Sequence, residues 1–258
     1  MIDKRQYNVY ATIRKLCIGV VVFNLIWLVL ALALRNKILP NPIDVYRIMP
    51  QEFVAGMGRH VMASLWRVLA GIVIALLFGV VGGLATAFSK RLNKILEPLL
   101  YLSYPVPKLA LLPVVMIVFG IDEASKIVMI VLIVVFQLMI SIRDAIRHIP
   151  RDNYYVLMSL GATKWQNIRH IIIPATLPSI FSALRVTVGI AVSVLFVTET
   201  FGTDKGLGFF TVDAWMRLDY IKMYAGIVAI SVIGFLLFVA IDIADAVFCR
   251  WNRLMSRY

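Results

Sequence analysis

The chain holds 14 acidic side chains, 26 lysines and arginines, three histidines and two cysteines in 258 residues. The charged groups that could do chemistry are the few inside or beside apolar runs, where a charge is costly. Arg185 lies within such a run, where an ionisable side chain marks a solute path, a paired interior or a snorkelling group. Glu199 closes the same run and suits a gate or a helix-end cap. Lys108 follows a proline cluster that begins at Tyr104. Tyr104, Lys108, Arg185 and Glu199 are therefore the candidates for a translocation pathway, and an anionic solute would suit the two cations. Asp242 and Asp245, near the end of the last apolar run, read as ion-pair partners of nearby basic groups rather than as proton carriers. No HExxH, CxxC or GxxxxGK[ST] pattern is present, so metal-ligand spacing and a phosphate-binding loop are missing. His60, His148, His170, Cys17 and Cys249 are scattered and read as structural or interfacial, which leaves no catalytic residue and no metal site to name.

The elements that must position these groups are membrane spans. Hydrophobic residues make up 61% of the chain and charged residues 16%, against about 45–50% and about 25% in soluble domains. Six runs approach bilayer-spanning length: Leu16–Leu34, Val61–Ser89, Leu99–Gly120, Ser125–Ile142, Ile171–Thr198 and Met223–Phe248. The expected fold is all-α and integral to the membrane, one transmembrane permease domain over 1–258. Its parts are an N-terminal span (1–38), an outer amphipathic segment (39–60) and a core (61–250). Leu16–Leu34 has a basic lead and an Ala31-Leu32-Ala33 resembling a cleavage site. It is nonetheless longer than a signal-peptide core, and reads as an uncleaved first span. Glycines 71, 79, 82 and 83 predict close helix packing in the second span. Pro105, Pro107 and Pro113 interrupt the third, which reads either as lining a packed or wet interior or as a simple kinked helix. Placing the N-terminus inside puts 15 lysines and arginines in inside segments and nine in outside loops, among them Arg67 and Lys126. That bias sets both termini in the cytoplasm. It also accounts for the net charge of +12 without nucleic acid.

The loop before the fifth span carries its own signals. Asp152 and Asn153 can cap a helix start, Gly161 suits the left-handed position that ends a helix, and Thr163 with Gln166 has capping-box spacing. The prediction is a helix, a sharp turn and a second helix leading into the fifth span. Tyr154, Tyr155, Leu157, Met158 and Leu160 on the first helix are costly to leave in water. They could fold back on the membrane domain, lie in the headgroups or dock into another protein.

This loop resembles the signature loop of binding-protein-dependent ABC transporter permeases, whose pattern is E-A-A, three residues, G, nine residues, I-x-L-P. Gly161 is followed by nine residues and then Ile171-Ile172-Ile173-Pro174; Ile173 replaces Leu, and Tyr155-Val156-Leu157 replace E-A-A. Leu39-Pro40-Asn41-Pro42, the run Tyr104-Pro105-Val106-Pro107-Lys108-Leu109-Ala110-Leu111-Leu112-Pro113, Phe119-Gly120-Ile121, and Glu199 with Gly206-Leu207-Gly208 are similar to motifs of nitrate/sulfonate/taurine-type permeases, in the same order. The resemblance covers Leu39 to Trp251.

The resemblance implies a permease subunit of an ATP-driven importer of a small solute in a bacterial plasma (inner) membrane, not itself an enzyme. The implied partners are a second permease copy, two ATPase subunits that bind ATP and Mg, and an external solute-binding protein that sets selectivity. The chain itself would hold no cofactor. Asn153, Tyr154, Tyr155, Leu157, Met158, Leu160, Gly161, Ala162, Lys164 and Trp165 would form the ATPase-coupling element. Lys164, like Arg169, reads either as pairing with acids on the ATPase or as a solvated positive-inside charge. The competing classes are an ion-gradient-driven secondary transporter or channel subunit, a membrane-embedded enzyme and a scaffold. Each lacks its marker: carboxylates at mid-span, a nucleophile or metal cluster, or a reason for the ordered motifs.

Overall fold

The structure, a computed structural model, describes residues 9–34, 36–103, 105–159 and 161–251. All regular elements among them are helical. In order they are α1 (Val9–Leu34), α2 (Pro42–Glu52), α3 (Gly58–Phe88), α4 (Lys90–Ser103), α5 (Leu112–Phe119), α6 (Glu123–Arg147), α7 (Arg151–Ser159), α8 (Lys164–Asn167), α9 (Ile173–Glu199), α10 (Leu207–Met216) and α11 (Tyr220–Phe248). Four stretches are long and apolar enough to cross a membrane: Pro42–Phe88, α6, Lys164–Glu199 and α11. A fifth crossing is added if the bent pair Lys90–Ser103 and Lys108–Phe119 acts as one. A shorter apolar helix, Ile18–Leu34, lies within α1.

The segment expected as one third span is broken. α4 and the helix starting at Lys108 meet at 91°, because Pro105 and Pro107 cannot donate to a helical ladder. Pro107 caps a 3-10 turn, Lys108–Leu111, and Pro113 opens α5 near its first position, where its missing N–H costs nothing. In the segment expected to be amphipathic, Pro50 sits inside α2 without ending it, and the helix breaks at Gly56, with φ 150°.

The described residues cluster into two compact units. One comprises the described residues up to Gly58, and Phe210–Val228. Its core is Trp27, Ala31, Val45 and Ala225. Trp27 stacks on Tyr224 at 5.4 Å and donates from Nε1 to the Pro40 carbonyl at 3.1 Å. Asn41 caps α2 by accepting from the Ile43 N–H.

The other unit comprises Arg59–Phe209 and the described residues from Ala229 on. Its core lies where α3, α5, α6 and α9 meet, around Val68, Ile72, Met129, Ile130, Val134, Leu138, Val188, Ala191 and Leu195. Lipid removes most of the hydrophobic drive between helices, so close approach has to supply the contact energy. The α3 glycines do this. A Cβ on Gly71, Gly79 or Gly83 would lie 2.6–2.8 Å from Ile130, Leu138 or Ile142, so α6 seats directly against the α3 backbone.

Candidate functional site

The loop predicted as helix, turn and helix has that form. α7 ends before Gly161, whose φ is +74°, and the Ala162 N–H bonds back to the Leu157 carbonyl at 3.0 Å. This is the six-to-one bond of a glycine-terminated helix. Thr163 then caps α8 with the full capping box: its N–H donates to Gln166 Oε1 at 2.7 Å, and its Oγ1 accepts from the Gln166 N–H. Residues Ile168–Ile172 form a π turn that carries the helix past Pro174, where a regular i−4 bond is impossible.

The apolar residues of α7 do not form a single face. Tyr154 and Leu157 turn inward onto Ile142, Ile146, Ile149, Ile171 and Ile172, and burial pushes the Tyr154 phenol up. Tyr155 and Trp165 remain 58% and 66% exposed, and Asn153, Lys164 and Gly161 are exposed as well. The Met158 side chain and Leu160 lie outside the described residues, as does Tyr104 of the pathway candidates.

Beyond its first residue, the exposed Ile173, the exposed positions of α9 are Ala175, Ser179, Ser182, Val186, Gly189 and Ser193, one stripe of mostly small residues at alternating spacings of four and three. Two cavities follow this stripe between α6 and α9. One, of about 620 Å³, is lined by Gln137, Ser141, Asp144, His148, Asn153, Ser179 and Ser182, among others. The other, of about 590 Å³, is lined by Pro107, Lys108, Ile133, Gly189, Ser193 and Val197, among others. Among the described residues Lys108 is the only ionisable side chain lining the second cavity, and its Nζ lies 5.6 Å from the centre of the Phe136 ring.

Arg185 and Glu199 point elsewhere. Arg185 donates to Asp242 and, at 2.6 Å, to Asp245 on α11, the pairing expected of the two aspartates. Glu199 is fully buried. It accepts from Ser64 Oγ at 2.8 and 2.9 Å, from Arg67 Nη1 at 2.8 Å and from the Gly208 N–H at 2.9 Å. Arg67, 1% exposed, also forks onto Glu123 at 2.6 and 2.7 Å and reaches the Lys205 carbonyl at 2.8 Å. Lys126, equally buried, donates to the Ile121 and Gly202 carbonyls. The Gly206-Leu207-Gly208 turn wraps this knot. Gly206 has φ +118°, and a Cβ there would lie 2.3 Å from the Glu199 carboxyl carbon. Its N–H donates to His60 Nδ1 at 3.1 Å.

Sequence reasoning missed this cluster by counting Arg67 and Lys126 as outer-loop charges. Arg67 in fact lies in the tenth position of α3 and Lys126 in the fourth of α6. The signal available was that both interrupt apolar helical runs.

Long apolar helices, solute-sized cavities along one of them and a helical hairpin with two exposed aromatics define a multi-pass membrane permease. The model of the family described as "Binding-protein-dependent transport system inner membrane component" matches residues 71–251. The chain belongs to that family, and is the membrane-spanning permease subunit of an ABC importer. It is 35% identical over 218 residues to the taurine transport system permease protein TauC of Escherichia coli (strain K12), covering 82% of this chain and 79% of that protein. It is 30% identical to the putative aliphatic sulfonates transport permease protein SsuC of Bacillus subtilis (strain 168), over 83% of this chain and 78% of that one. It is 31% identical to the nitrate import permease protein NrtB of Synechococcus elongatus, over 75% and 74%. Among solved structures, an inward-facing MetNI methionine ABC transporter matches with a TM-score of 0.60 at 20% identity, over 71% of this chain and 94% of that chain. That likeness is one of fold.

Proposed function

We propose that two copies of this chain form the solute path of an importer whose ATP-burning subunits are separate chains and whose solute arrives on an external binding protein. Both termini face the cytoplasm. The hairpin α7–α8 is the ATPase-coupling element, and its exposed docking groups are Tyr155 and Trp165, with Asn153, Gly161, Ala162 and Lys164 around them. Tyr154 and Leu157 anchor the hairpin to its own bundle, so that a push on the exposed side is passed to α9 rather than lost in a loose loop. ATP and substrate drive alternating access only if each binds the two states with different strength.

One observation carries this reading: two large aromatic side chains stand exposed on a short hairpin, closed by the Gly161 turn and the Thr163 capping box, whose opposite side is packed. A helical hairpin with that division presents a surface built for a partner.

The solute path runs along the small-residue stripe of α9 and the polar groups of α6. A lipid-facing helix side would carry large apolar groups instead. Lys108, in the second cavity, supports a small solute with an anionic group, in keeping with the taurine, sulfonate and nitrate named for relatives. Arg185 and Glu199 hold helices together and stand outside the path.

The test is co-purification. The ATPase made with this chain should be captured by the wild-type permease and lost, along with ATP-dependent uptake, in Tyr155→Asp and Trp165→Asp, while membrane insertion is unchanged. Retained capture by both variants refutes the assignment. Uptake that survives ATP depletion on an ion gradient would favour the secondary-transporter alternative.

A further inference from the structure

We propose that Arg185, Asp242 and Asp245 form a charged strut that makes α11 travel with α9 when the coupling hairpin moves α9. This rests on the coupling role proposed for α7–α8.

α9 and α11 run antiparallel with a constant register. Trp251 Nε1 donates to the Pro174 carbonyl at 3.1 Å, Phe181 stacks on Phe248 with centroids 6.5 Å apart, and a Cβ on Gly234 would meet Val192 at 3.6 Å. Arg185 lies between the second and third of these contacts. It is also where the chain places a charge in an apolar helix, at the thirteenth of its 27 positions. Of the other three, the ring stack and the Gly234–Val192 contact tolerate sliding, and the third is a single neutral hydrogen bond near the end of the seam. The strut does not tolerate sliding. Arg185 Nε donates to Asp242 and an Nη to Asp245, carboxylates three residues apart that share one face of α11. A planar fork held across that pair fixes rotation as well as level. A slide by one helical turn, about 5.4 Å, would break the two-point fork and leave at least one aspartate without its cation. Packing alone sets no comparable penalty, so the pair resists shear where the rest of the seam allows it.

The test uses the assembled transporter with its ATPase and binding protein. Cysteines replace Val192 and Gly234, and Cys17 and Cys249 become alanine. The rate of disulfide formation between α9 and α11 is measured without nucleotide and after trapping with ATP and vanadate. With Arg185 present the two rates should agree. In Arg185→Gln the trapped state should slow the reaction by about tenfold, within the range of energetic coupling between packed elements. The swap Arg185→Asp with Asp242→Arg should restore agreement, and it guards against a variant that only folds poorly. Equal rates in Arg185→Gln overturn the strut, as do unequal rates in the parent protein or a swap that fails to recover. Maleimide labelling at Tyr155→Cys is read in parallel. If the ATPase gives no protection there, the coupling role itself is wrong and the strut falls with it; protection with equal rates in Arg185→Gln rejects the strut alone.

Discussion

The two ends of the Lys164–Glu199 helical stretch are built in opposite ways. At the Glu199 end, a carboxylate with no solvent exposure, a buried guanidinium and a buried ammonium are shared among α3, α6 and the turn after α9. At the Lys164 end, the helix leads back through a capped turn to a nine-residue helix, and one aromatic on each side of that turn, Trp165 and Tyr155, is exposed. Moving the first end means separating desolvated charges, whereas moving the second disturbs a few apolar contacts. A displacement applied to this helix is therefore resisted at Glu199 and accepted at the hairpin, which is where a motor would grip.

Substitutions can break or sharpen that contrast. The largest effect is expected for Arg67→Ala, which leaves Glu199 and Glu123 without their cation. Removing one partner of a buried pair costs about 3–5 kcal/mol, so the unfolding midpoint of the detergent-solubilised protein should fall steeply. A shift no larger than that of a surface variant would show the Glu199 end to be as loose as the other.

Next come two of the positive-φ glycines, one at each end. Gly206→Ala combines a disfavoured backbone with a collision against Glu199 and should cost about 1–3 kcal/mol or more. Gly161→Ala meets nothing within 4 Å and should cost only the left-handed conformation, about 1 kcal/mol. Equal losses in thermal stability would contradict the contrast.

Thr163→Ala removes the α8 cap and should cost about 1 kcal/mol, confined to the hairpin. Hydrogen exchange should quicken at the Gln166 amide and not at Leu207, whose N–H is held by Ser64 at 2.8 Å. Smallest of all, Trp165→Ala and Tyr155→Ala should change stability by less than about 0.5 kcal/mol, as exposed sites do, while ATPase capture weakens. If either destabilises the permease alone as much as Arg67→Ala, the hairpin is a structural plug and not a docking element.

Much of the hairpin was legible in the sequence because its determinants are local: Gly161 ends a helix by its own φ, and Thr163 with Gln166 closes a box three residues wide. The division of its apolar residues was not legible. Five side chains in a short run read as one greasy face, and only the position of α6 and α9 decides that Tyr154 and Leu157 face inward while Tyr155 does not. The proline run of the third span was recognisable as a disruption. The 91° bend was not, since prolines announce a lost hydrogen bond and not the direction in which the chain leaves. Glu199 and Arg185 were both singled out as costly charges, and in each case the partner was the missing fact.

By itself, the sequence determined that the chain lives in a membrane as a bundle of apolar helices, though not the six spans it suggested, since four or five of them are long enough to cross, and that a capped helical hairpin precedes the long helix ending at Glu199. Those properties follow from composition, from caps and from turns, whose energies are settled within a few neighbouring residues. The tertiary structure alone decided that Arg67 meets Glu199 across 132 residues of chain and that Arg185 meets Asp242 across 57. A charge in lipid must find a counter-charge, but nothing in its local sequence says which one the packing of the helices will bring within reach.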